Sequence, residues 1–106
     1  MTNPSKRRLI ELGYVKNLED AWQKARAKNP KYRLLEGQAR EAFKAKFPRH
    51  NGRPVVFGGS EWQDLIGERR VAYLGRLGFG RRWDSCFYWS GYYFSGRWLW
   101  AVVEED

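Results

Sequence analysis

The sequence predicts an α+β fold: N-terminal helices followed by a small antiparallel β-sheet of three to four strands, ending in an aromatic-rich hairpin. Three observations lead there. Apolar residues recur at helical spacing through the first fifty positions. From Arg70 the period changes to two, with Val71 and Tyr73 alternating with Ala72 and Leu74. Finally, the eighteen residues CFYWSGYYFSGRWLWAVV, Cys86 to Val103, hold eight aromatic rings around a Ser95-Gly96 step suited to a tight turn.

Taken in order, SKRRLIELG reads as a first short helix, with Pro4 at its start and Gly13 placed as a C-cap. A second helix is capped by Asn17, carries Leu18, Ala21, Trp22 and Ala25 on one face, and stops at Asn29-Pro30. A third is predicted from about Tyr32 to Phe47, with Leu35, Ala39, Ala42, Phe43 and Phe47 as its apolar stripe. Gly37 costs that helix about 1 kcal/mol relative to alanine, which favours a start nearer Gln38. PRHNGRP follows as a loop. Val55 to Phe57 reads as a strand ended by Gly58-Gly59. Ser60 with Gln63 then forms a capping box for a fourth helix carrying Trp62, Leu65 and Ile66. The glycines of LGRLGFGRRWD make a bent connection. In the closing hairpin a Ser95-Gly96 turn pairs Phe94 with Arg97, Tyr93 with Trp98, Gly91 with Trp100 and Trp89 with Val102. Both faces of that hairpin are apolar enough to need cover.

Length and composition fit one domain over residues 1–106, with a basic helical half (about 1–50) and an aromatic β-rich half (about 55–106). Hydrophobic content of 42% excludes a wholly disordered chain. Of the net charge of +8, residues 1–54 hold 14 Lys/Arg against 5 Asp/Glu, or +9, and residues 55–106 hold 6 against 7, or −1. Thirteen of the 18 aromatic rings lie from Phe57 onward. A basic surface attracts polyanions, and nucleic acid is the commonest of these inside a cell. No apolar run approaches the roughly 18 residues of a membrane span, and the N-terminus has no apolar stretch of secretory type. A cytoplasmic setting without membrane association is therefore expected.

Catalytic sets are scarce. Cys86 and His50 are the only cysteine and histidine, so neither a disulfide nor a Cys/His metal site can form within the chain. A lone strand cysteine is more often a small buried hydrophobe than a nucleophile. Glu61, Asp64 and Glu68 read as the solvated face of the fourth helix. VVFGGSEW could offer a phosphate a helix N-terminus, yet it lacks both glycine-rich phosphate motifs. No helix-turn-helix or RNA-recognition motif is present. The reading is thus non-enzymatic, with no cofactor and no metal.

What remains is rings plus cations. Single-stranded nucleic acid is held by base stacking and charge neutralisation. Arg33, Arg40 and Lys44 on the third helix, Arg76, Arg81 and Arg82 in the glycine loop, and Tyr92 and Arg97 on the hairpin form the expected binding set. The expected partner is nucleic acid or a nucleoprotein complex. An alternative is a small protein-binding inhibitor docking its aromatic sheet face, since Trp, Tyr and Arg dominate interface hot spots. Catalytically empty domains of this size occur in phage and mobile elements, where they block CRISPR or other nucleic-acid-processing complexes. Homodimerisation through the uncovered sheet face is compatible with both readings.

Overall fold

A computed structural model describes residues 6–46, 53–76 and 83–105. Along the chain it places β1 (Arg7–Glu11), α1 (Leu18–Lys28), β2 (Tyr32–Leu34), a 3₁₀ turn (Gly37–Ala39) leading into α2 (Arg40–Lys46), β3 (Val55–Gln63), β4 (Arg69–Arg76), β5 (Trp83–Trp89) and β6 (Leu99–Glu104). The strands form one six-stranded mixed sheet in the order β1-β6-β3-β4-β5, with β2 also paired to β6.

This overturns the expected architecture of helices followed by a three- to four-stranded antiparallel sheet: the sheet dominates and its first strand precedes the first helix. β6 explains why. Leu99 to Val103 are all buried, and a strand apolar on both faces belongs in the middle of a sheet. The expected hairpin would have left it with only one neighbour. Instead β1 fills one edge of β6, from Arg7 opposite Val103 to Glu11 opposite Leu99. The other edge is divided. Leu99 and Trp100 run parallel to Val55 and Val56 of β3, while Val102 to Glu104 pair antiparallel with Leu34 to Tyr32 of β2. β5 pairs with β4 rather than with β6.

Three expected helices change for the same reason. RRLIE becomes β1 because Leu9 and Ile10 can pack on opposite faces of the sheet, whereas a helix this short gains little on its own. The third helix loses its first turns to β2, which lets Leu34 and Leu35 enter two different cores. The fourth does not form. Residues through Gln63 extend β3, and Asp64 caps a turn by accepting from the N–H groups of Ile66 and Glu68, with Gly67 at φ +88°. Leu65 and Ile66 therefore sit fully exposed at a hairpin tip. Only the second helix keeps its bounds. Its cap, Asn17, accepts from the Asp20 N–H at 2.9 Å.

Gly58-Gly59 marks a crossing point rather than a strand end. The β3–β4 register shifts between Phe57 and Trp62, and the Gly59 N–H donates to Leu35 O at 2.8 Å. A Cβ on Gly59 would lie 2.2 Å from Leu34 O, and one on Gly58 would lie 2.8 Å from Leu18 Cδ1. Backbone excludes any side chain at Gly59, while one at Gly58 would have to displace the Leu18 and Leu34 side chains.

Two cores result. On one face of the sheet, α1 and the 90–98 segment cover Val56, Val71, Trp100 and Val102. That segment folds back over the sheet and is pinned by paired hydrogen bonds between Phe94 and Val15 (2.7 and 2.9 Å). On the other face, α2 covers Val55, Phe57, Leu74, Leu99, Ala101 and Val103, mainly through Phe43 set edge-on to Phe57 and Trp83. Among the described residues no helix is long and apolar enough to cross a membrane.

Candidate nucleic-acid interface

The rings of the C-terminal stretch divide sharply by burial. Phe94 and Trp100 are fully buried, and Trp98 and Tyr88 pack between them and Tyr73 at centroid distances of 4.8–6.5 Å. These rings are core. Tyr92 and Tyr93 are more than half exposed, and Tyr93 stacks on Tyr14 at 5.8 Å.

A second group assembles on the α2 side, where the sheet extends past its helix. Trp62, Arg70 and Trp89 are cross-strand partners on β3, β4 and β5, so their side chains form one row across the sheet. The Arg70 guanidinium lies 4.8 Å from the Trp89 ring centroid, and its Nε donates to Asp64 Oδ2 at 2.8 Å. Phe87, two residues before Trp89, meets Trp62 edge-on at 5.1 Å, and the Arg40 guanidinium lies over its ring at 5.6 Å. Arg40 is held there by its own Nε donating to Gly37 O at 2.7 Å. Tyr92 continues the row from Trp89 at 5.2 Å. Trp62 and Phe87 remain 43% and 46% exposed, so their outer surfaces are open to a flat ligand.

The acids nearby are engaged with arginines of the same hairpin. Arg70 donates to the Asp64 carboxyl and holds its pKa below the usual carboxylate range, helped by the Ile66 and Glu68 N–H groups. Glu61 pairs with Arg69 at 3.1 Å. These carboxylates therefore lie on a hairpin engaged with arginines, not on the solvated helix face their spacing suggested. The VVFGGSEW helix N-terminus is absent as well. Burial raises the pKa of the Cys86 thiol, and Tyr73 is pushed up to about 12 by burial and by its contact with Cys86. Both stay protonated near neutral pH, while His50 lies outside the described residues. Among the described residues no group of three His, Cys, Asp or Glu could hold a metal ion.

Of the expected set, the structure brings Arg40 and Tyr92 to this row. Arg33 stands on β2, not on a helix with Arg40, and pairs with Glu105 and Glu36 beside the end of β6. Lys44 pairs with Glu41 along α2 at 3.1 Å. Arg76 ends β4, and Arg81 and Arg82 lie outside the described residues. Arg97 belongs to the 90–98 segment, where its carbonyl accepts from Arg53 Nε at 2.9 Å. Trp62, Arg70, Phe87 and Trp89 stand outside the expected set. The alternation of Phe87 and Trp89 along β5 was legible, but the meeting of all four depends on a register shift of β3 that no local pattern announces. No family model, no curated protein and no solved structure matches the chain.

Proposed function

We propose that the chain is a non-enzymatic binding domain for nucleic acid, engaging unpaired bases on the row of Trp62, Phe87, Trp89 and Tyr92, with Arg40 and Arg70 beside the backbone. The carrying observation is the alternation of partly open rings with fixed guanidinium groups across three strands. Each stacked base is worth about 1–3 kcal/mol, and the chain's charge of +8 supplies a long-range attraction. A duplex hides its base faces, so the row favours single strands. A cytoplasmic setting belongs to the same proposal.

The test is fluorescence anisotropy with labelled single- and double-stranded oligonucleotides at two salt concentrations. Binding that favours the single strand, weakens with salt and quenches tryptophan emission supports the proposal. Absence of binding at low salt by the folded protein refutes it.

One observation favours a second reading, docking on a protein partner. Leu65 and Ile66 stand 106% and 82% exposed at the hairpin tip that carries Trp62 at its base, and apolar residues beside rings make hot spots. Such an interface would survive high salt, whereas the polyanion complex would not.

A further inference from the structure

A groove of about 650 Å³ runs along the other margin of α2, between that helix and β1–β6. Its volume falls within the range of about 300–1,000 Å³ typical of small-molecule sites. Leu9, Leu35, Phe43 and Ala101 form its floor, and Ala42 and Ala45 line the helix side. Apart from Arg8, whose guanidinium is turned to Glu104, the lining cations are Arg7 and Lys46.

Arg7 is the informative one. It pairs with Val103, whose side chain lies in the α2-side core, so Arg7 projects to the groove's face of the sheet, two residues from Leu9. Its Nε is buried and has no hydrogen-bond partner, a condition shared among the described residues only with Trp100 Nε1, which lies in the opposite core. A buried guanidinium N–H without an acceptor is costly, and an anion placed there would satisfy it. The walls are apolar and the donor set is small and positively charged. The complementary ligand has one apolar tail and one singly negative, planar head.

We propose that this groove binds a free, single-tailed carboxylate amphiphile of the medium-chain fatty-acid class, with its tail between α2 and β1 and its head at Arg7. The site is separate from the ring–arginine row and does not depend on the nucleic-acid reading.

The test is calorimetric titration of the full chain with decanoate and, as a comparator with the same tail and opposite charge, decyltrimethylammonium. One-to-one binding of decanoate, about tenfold or more tighter than the cation, is expected from one charge-assisted hydrogen bond. Arg7→Gln should abolish that preference. Ala45→Trp, at an exposed helix position that leaves the core untouched, should block decanoate while circular dichroism shows the fold intact. If Arg7→Gln does not fold, Ala45→Trp alone decides. Failure of decanoate to bind, equal binding of both amphiphiles, binding unchanged by Ala45→Trp, or binding confined to anionic phospholipid vesicles would each overturn the proposal.

Discussion

The two faces of the sheet are insulated very differently. The α1 face is sealed by an eleven-residue helix and by the 90–98 segment, whose rings interlock with Tyr73, Tyr88 and Trp100. The α2 face has only a 3₁₀ turn and a seven-residue helix with no fully buried side chain of its own, anchored chiefly through Phe43. A short helix covers the middle of a six-stranded sheet and leaves both margins open. One margin carries the ring–arginine row, and the other the apolar groove beside Arg7. Both candidate ligand surfaces thus arise from one shortage of cover, and the well-covered face is left to carry stability.

The contrast can be broken most directly at its two anchors. Phe94→Ala should cost about 3–5 kcal/mol, as for other fully buried phenylalanines. Phe43→Ala, at a half-buried position, should cost about half as much. Urea unfolding of both variants decides the matter, and equal losses would mean that the two faces contribute alike. Gly59→Ala tests the crossing that lets β3 serve both β4 and the segment after β2. With its Cβ driven into Leu34 O, a loss of about 1–3 kcal/mol is expected, of the size seen for overpacked cores.

Smaller stability effects, with larger binding effects, are expected at the open margin. Phe87→Ala should change stability by no more than about 0.5 kcal/mol, as at most surface sites. It should weaken single-strand binding by about tenfold, one lost stacking contact. Unchanged affinity in anisotropy would remove Phe87 from the interface.

The smallest effect is electrostatic. Because the folded protein holds the Asp64 pKa below its ordinary value, the fold favours the ionised form. The stabilisation is present above the ordinary carboxylate pKa and is lost as pH falls through the depressed folded value. The melting-temperature difference between the protein and Asp64→Asn should accordingly be present at pH 7 and vanish in acid. A difference that persists at low pH would show that the turn geometry, not the charge, is what Asp64 supplies.

Legibility followed the range of the interactions. α1 could be read to its ends because its cap, its apolar face and the Asn29-Pro30 stop all lie within fifteen residues. The alternation of β4 was equally local. Within β6, Trp100 and Val102 take one side and Leu99, Ala101 and Val103 the other, as strand alternation requires whatever the partner. By contrast, RRLIE and SEWQ are too short for helix and strand periods to separate, and their partners are 88 to 96 residues away for β1 and across a register shift for β3. A turn does form at Ser95-Gly96, closed by the Trp98 N–H donating to Ser95 O at 3.2 Å, yet burying both faces of β6 outweighed the hairpin across it. Of the candidate site, Arg40 and Tyr92 were found by residue type alone. Arg33 was grouped with Arg40 by a helix that does not extend that far.

By itself, then, the sequence determined the charge division, the scarcity of catalytic groups, the α1 helix and the alternation within β4 and β6, because these depend on composition and on neighbours within a few residues. The tertiary structure alone decided the strand order, the fate of each ring as core or surface, and the meeting of Arg70 with Trp62 and Trp89. Those outcomes depend on which segments compete for the edges of one apolar strand, and that competition is settled by total burial across the whole chain rather than by any local preference.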